Sequence, residues 1–484
     1  MARADRLFEH ARVLTLDPCR PVAEAIAVGG GRVLALGTAA ALRALAGPGT
    51  ERVDCRGATV LPGLIDPHLH LFGLAARGAH LDCAAAASVG ELLDLVRRHA
   101  ARLPAGAWVR GEGLDEARLG RLPLAAELDA AAPRNPVRLR HRSRHASVLS
   151  GRALARLGGK AGGRVVTGLV TGREDAVGRL VGPLPEDVLA RGLAEAGGEL
   201  AALGLTTVAD ATPRGPRALA PLRRAVAEGS FPLRVYAMRP VRGRPWRGAG
   251  RLLPGPVKIM VEDGPDGLRP DAAALARWVA AAAAAGAQVA VHCVSAATLV
   301  AALAAFARLP RALRAGRRHR LEHVAECPPP LVARIAALGL VAVTNPAFIH
   351  WRGDAYRDET EGAARAWLHR ARSLAAAGVP LAGASDAPVV PPSPWMGIAA
   401  ARTRRTAAGR PLVPGERLGA AAALGLFTRG AAFALHADAL GWLRPGGPAD
   451  LVVVVPDPLR APPDEVAATE VRLALVDGVR AWPA

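Results

Sequence analysis

Cysteine is scarce and unorganised in this 484-residue chain. Cys19, Cys55, Cys83, Cys293 and Cys327 are odd in number, scattered, and form no CxxC pair. Nothing here reads as a disulfide framework, and reduced thiols with a cytoplasmic location are expected. Aromatic residues make up only 4%, and no nucleic-acid-binding motif accompanies them. No run of about 18 to 20 uncharged apolar residues is present, and the opening MARADRLFEHARVLTLD lacks an apolar h-region. Neither a membrane span nor a signal peptide is expected. Lysine is nearly missing too: among 62 basic residues only Lys160 and Lys258 are lysine.

What is present points to a soluble globular protein, 51% hydrophobic and 21% charged. Its length suits one large domain with a smaller one. The formal charge of +20 would draw phosphate to any clustered basic face. The arginines are spread along the whole chain instead, so no specific nucleic-acid partner is expected. The excess of Ala, Arg, Gly and Pro reads as a coding bias.

Both ends of the chain have short β patterns. At the start, LFEHARVLTL and AIAVGGGRVLALG are punctuated by Asp17-Pro18 and Gly29-Gly30-Gly31. At the end, ADLVVVV precedes VRLALVDGVRAW, with Asp477-Gly478 as the turn. One small sheet domain built from residues 1–57 and 436–484 is the expectation. The middle, 58–435, alternates strand and helix. The apolar run Val60 to Ile65 reads as one buried strand leading into His68-x-His70. Further strand candidates are 204–210, 232–238, 256–264, 287–294, 319–325, 340–346 and 380–388. Gly204, Gly286, Gly339 and Gly378 stand where they would cap the preceding helices. Eight βα units predict an α/β fold of the (β/α)8 TIM-barrel type. An insertion over about 72–203, with strand-like WVRGEG and PVRLRHR, would cover the barrel mouth.

Chemistry-bearing residues fall at the carboxyl ends of these strands, where a barrel places its active site. His68 and His70, two apart in a strand, would project from one face. His292 and His323 stand 31 positions apart, one βα unit; Asp386 follows after 63, two units; Lys258 precedes His292 by 34. Each alone also has a bland reading, as a hydrogen-bonded structural histidine or a turn-capping aspartate. Their joint order and periodicity point to a metal site. Imidazole and carboxylate ligands suit Zn²⁺ or a similar ion. Glu262 and Asp263 read as a solvated loop, and His141 and His319 as structural.

RVLTLDPCRPVAEAIAV, VLPGLIDPHLH, WVRGEGLDE, LDAAAPRNPVRL, RHAS, VKIMVEDG, the RHRLEH run, ASDAPV and LRPGGPADLVVV together resemble the amidohydrolase superfamily, in its amidohydrolase-3 or YtcJ-like branch, over essentially the full length. The resemblance implies a metal-dependent hydrolase barrel with a composite β-sandwich, one or two divalent metals (usually zinc), and hydrolysis of a non-peptide carbon–nitrogen bond in a small molecule. It implies metal-site roles for His68, His70, His292, His323 and Asp386. Asp386 would be ligand and general base, with His323 or His292 polarising the substrate carbonyl. Lys258 would be an unmodified contact or, carboxylated, a bridge between two metals. Ser143-Arg144-His145 stands where relatives show Asp-Gly-His, and His292-Cys293-Val294-Ser295 where they show a short Gly-Asp turn. These departures bear on the substrate pocket, where His145 is the contact candidate. An amino-heterocycle deaminase on the same site is the nearest rival, and a catalytically silent regulatory member of the fold is another. A homodimer stays open.

Overall fold

The computed structural model describes residues 3–142, 146–158, 167–171, 173–243, 245–264 and 267–483. Eight parallel strands form one curved sheet: β1 (Leu64–Leu69), β2 (Leu205–Asp210), β3 (Arg234–Arg239), β4 (Leu252–Ile259), β5 (Val289–Cys293), β6 (Arg320–His323), β7 (Val341–Thr344) and β8 (Leu381–Gly383), adjacent in that order. The two ends of the sheet meet just past β1 and β8. His70 N donates to Ala387 O (2.7 Å) and Asp386 N donates to His68 O (2.9 Å). The sheet therefore curls into a nearly closed barrel, the α/β fold expected.

Helices follow the strands for local reasons. Asp271 caps the helix Ala272–Ala284 and Ser295 caps Ala296–Ala307, each accepting from a backbone N–H of the first turn. Leu275, Val279, Ala282 and Ala283 turn inward and share a core with Val289, Val291 and Ile259. Gly204, Gly286, Gly339 and Gly378 all have positive φ, the left-handed conformation that ends a helix without a Cβ clash.

The run from Val60 to Ile65 is not one strand. Thr59–Pro62 pairs with Arg12–Leu14 and Leu451–Val455, whereas β1 begins at Leu64. Gly63 is the break. A Cβ there would lie 2.2 Å from Thr206 Cγ2 and Oγ1, so only glycine lets the chain cross from one sheet to the other beside β2. Hydrophobicity alone could not show this, because the residues on both sides of the break are buried.

Chain ends combine in two sheets. A six-stranded sheet runs Val479–Trp482, Glu470–Val476, Leu451–Val455, Thr59–Pro62, Arg12–Leu14, Val22–Ala23. A four-stranded one runs Arg32–Gly37, Ala25–Gly29, Arg6–Glu9, Glu51–Asp54. Phe8, Ile26 and Val33 of the second pack with Val13, Val60, Leu451 and Leu475 of the first. Residues 75–192 form a compact unit of their own, inside the range assigned to the insertion. Its five-stranded sheet contains Val109–Leu114 and Val137–His141, near the strands read from the sequence. Among the described residues no helix is long and apolar enough to cross a membrane.

Candidate metal centre

The end of β1 carries Asp66, His68 and His70 toward the point where β8 closes the barrel. Asp66 is buried and accepts from His68 N (3.1 Å) and from Ser385 N (3.1 Å). It thereby fixes the His68 backbone against the residue before Asp386. Asp386 itself sits at φ +59°, a left-handed conformation uncommon outside glycine, asparagine and aspartate. His68 Nε2 lies 3.5 Å and His70 Nε2 3.3 Å from Asp386 Oδ1. One ligand atom from each of the three falls within 4.8 Å of the others.

The opposite ring nitrogens are committed elsewhere. His68 Nδ1 hydrogen-bonds the Glu322 carboxylate, whose two oxygens also accept from Arg320 Nε and Nη2 (both 2.8 Å). His70 Nδ1 meets Thr212 Oγ1 (2.7 Å), and His323 Nδ1 meets Asn345 Oδ1 (2.7 Å). The Glu322 carboxylate and Asn345 Oδ1 accept only, which fixes the N–H on Nδ1 and leaves a lone pair on Nε2 of His68 and His323, the arrangement of metal-ligating histidines and their outer partners; the Thr212 hydroxyl is able to accept from His70 in the same way.

His323 and Val324 have φ of +72° and +49°, so the strand alternation of side chains stops at the end of β6. Glu322 and His323 consequently both reach the centre: Glu322 through His68, His323 through ring contacts 4.8 Å from His68 and 4.6 Å from His292. Lys258, buried on β4, brings Nζ to 3.4 Å from His68 Nε2. All six ligand candidates read from the sequence are thus gathered at one end of the barrel. His145 lies outside the described residues.

Electrostatics follow from burial. Burial first, then Lys258, brings the His68 pKa down to about 3; burial and His323 bring His292 to about 2. Burial lowers Lys258 to about 8, against the pull of Glu322 and Asp386. For Asp386 burial acts upward, but the His70 ring beside it and the surrounding imidazoles outweigh it and hold the carboxyl well below the usual range. Neutral imidazoles and an ionised carboxylate are what a divalent cation needs. Asp386 Oδ1 is buried and accepts no well-aligned hydrogen bond among the described residues. Nitrogen lone pairs and a carboxylate aimed at one point repel each other unless a cation lies between them, so the residues fit a metal.

The amidohydrolase family model, the one with the description "Amidohydrolase family", matches residues 51–481. The chain belongs to that family. It is accordingly a hydrolase of carbon–nitrogen bonds. This amidohydrolase is 29% identical to the "N-substituted formamide deformylase" of Arthrobacter pascens over 98% of both chains. It is 26% identical to the "Putative amidohydrolase YtcJ" of Bacillus subtilis (strain 168), over 89% of this chain and 90% of that one. A solved structure of an uncharacterised metal-dependent hydrolase from Pyrococcus horikoshii OT3 superposes with a TM-score of 0.80 at 24% identity, covering 95% of this chain and 99% of the other. That likeness speaks to the fold.

Sequence reasoning missed the outer partners Glu322, Arg320, Thr212 and Asn345. Glu322 lies inside the RHRLEH run, and its signal is a charge pair, Arg320 and Glu322, on one face of a strand that is buried throughout. The loop reading of Glu262 and Asp263 becomes a short exposed ribbon paired with Gly267–Arg269, where Asp263 accepts from Ser295 Oγ (2.6 Å). His141 bonds Glu116 (2.7 Å). His319 bonds Val289 N and Leu313 O. Exposed Met260, Val294, Trp351 and Val389 stand in the segments following β4, β5, β7 and β8.

Proposed function

We propose that this amidohydrolase hydrolyses the amide bond of a small, N-substituted non-peptide substrate, with one divalent metal, zinc above all, held by His68, His70 and Asp386. The observation that carries the reading is the buried Asp386 Oδ1, which accepts no well-aligned hydrogen bond among the described residues and faces two imidazole Nε2 atoms. When bound, such a metal supplies Lewis-acid polarisation of a carbonyl and brings the pKa of water from about 16 toward about 7. Asp386, ionised and at the barrel mouth, takes the proton of the attacking water and returns it to the departing nitrogen. His323, held by Asn345, and His292 orient the substrate carbonyl. Glu322 keeps His68 in the tautomer whose Nε2 carries a lone pair. The apolar side chains after β4, β5, β7 and β8 suit an apolar N-substituent. The name of the Arthrobacter pascens relative makes N-substituted formamides the first substrates to try.

The test is a panel of N-substituted formamides, N-acyl amino acids, lactams and amino-heterocycles, given to protein of measured metal content. Carboxylate release that chelation abolishes supports the reading. Ammonia release from amino-heterocycles alone would establish the deaminase in its place.

A second reading, a carboxylated Lys258 bridging two metals that His292 and His323 help to hold, is favoured by the burial of Lys258 beside His68. The neutral amine would add to carbon dioxide, forming an N–C bond and releasing one proton. Lysine can do this; arginine, never deprotonated in proteins, cannot. Lys258→Arg should therefore lower metal stoichiometry and most of the activity together. Two metals per chain in that variant would rule the bridge out.

A further inference from the structure

His369 is a buried polar side chain that the ligand set does not use. The residue is 2% exposed, and among the described residues neither ring nitrogen has a hydrogen-bond partner. Leaving both bare in a dry place costs stability, yet the fold holds the ring there firmly. His369 N donates to Ala325 O (2.8 Å), two residues beyond His323. Its carbonyl accepts from Arg404 Nη1 (3.0 Å). Arg404 is itself buried and, among the described residues, donates only to main-chain carbonyls, with Nη2 on Leu368 O (3.1 Å) and Nε on Leu412 O (3.0 Å). The turn so fixed has His369 at φ +48°.

The ring it presents lies between two aromatic side chains, 5.7 Å from Tyr356 and 6.3 Å from Phe348 by centroids. Phe348 and Tyr356 pack with Val390, four residues past Asp386. Burial, then Arg404 and His323, holds the His369 pKa at about 3. A neutral imidazole offers one N–H and one lone pair.

We infer that His369 is a substrate-binding residue, hydrogen-bonding the uncharged polar group of an amide whose apolar substituent lies against Phe348 and Tyr356. This rests on the amide-hydrolase reading and narrows its substrates to neutral aryl or alkyl amides. A carboxylate-bearing N-acyl amino acid calls for a cationic partner, which a neutral imidazole between aromatic rings is not.

N-phenylacetamide binding to the metal-free protein, measured by calorimetry, is compared with N-phenylformamide hydrolysis by the metal-loaded protein. His369→Phe keeps a ring and removes both polar atoms. It should weaken binding about tenfold, the worth of one neutral hydrogen bond. KM should rise to match while kcat and metal content hold. His369→Asn, suited to the left-handed backbone, should recover part of the affinity. Should His369→Phe fail to fold, histidine-¹⁵N-labelled wild type decides: N-phenylacetamide must shift the His369 resonance, assigned by its loss in His369→Asn. An unmoved resonance, or wild-type affinity and KM in His369→Phe, overturns the inference alone. Binding without hydrolysis of any amide overturns the hydrolase reading and leaves His369 in place; neither binding nor hydrolysis overturns both.

Discussion

In the proposed reaction Asp386 and Glu322 have different parts at one centre, and conservative amides separate them. Asp386→Asn keeps the shape, and asparagine tolerates φ of +59°, so the melting temperature should hold. The proposed base is gone, and kcat should fall by about 10² to 10⁴. Near-normal turnover at neutral pH would send the search for the base elsewhere. Glu322→Gln leaves the ligands untouched but ends the charge-assisted bond on His68 and the pairing with Arg320. Metal affinity, followed by competition with a chelator, should drop by about 10- to 100-fold; an unchanged affinity would make Glu322 a packing residue. The candidate ligands could be picked out in the sequence because strand-end position and βα spacing survive in residue order. Glu322 was not. Alternation sets it on the face opposite His323, and the left-handed turn at His323 and Val324 that unites them leaves no mark in residue type. His369 escaped for a related reason, since it belongs to the connection between β7 and β8, where no period exists to place it.

At the scale of elements, the eight barrel strands were legible within a few residues, each being an apolar run closed by a polar residue or a glycine. The division of Val60 to Ile65 between two sheets was not, for burial on both sides makes two strands look like one. Gly63 is its only trace. Gly63→Ala would set a Cβ 2.2 Å from Thr206 Cγ2, and overpacking of this kind typically costs about 1–3 kcal/mol. Thermal melting should show that loss. Adding Thr206→Ala should recover only part of it, because Thr206 Cβ would still lie 2.7 Å away. A Gly63→Ala protein as stable as wild type would mean that the passage between the sheets is looser than this packing indicates.

Across the larger unit, the two chain ends and the barrel are bound by ions that composition could not reveal. With arginine at nearly every basic position, no single one stands out in the sequence. Arg234, at the start of β3, is buried and reaches Asp450 with Nη1 and Asp477 with Nη2 (2.5 Å). Asp450 precedes the strand Leu451–Val455, and Asp477 forms the hairpin turn between Glu470–Val476 and Val479–Trp482. Arg251 adds Nε on Asp477 Oδ2 (3.0 Å) and Nη2 on Val476 O (2.8 Å). The amino ends of barrel strands are thus tied to the sheet that both termini build, away from the metal centre. Because Asp450 is buried, taking away its cation strands a charge in the interior, which costs about 3–5 kcal/mol. Arg234→Met should show that loss in denaturant titration. Arg234→Met with Asp450→Leu should regain much of it, since replacing both ions by apolar groups removes the unpaired charge. The Asp477 N–H that Asp450 accepts (2.8 Å) would still lose its partner, so recovery stops short of wild type. Kinetics test the separation of roles: kcat and metal content of the folded single variant should match wild type. A stable Arg234→Met protein would show that the Arg251 contacts and apolar packing join sheet to barrel without Arg234.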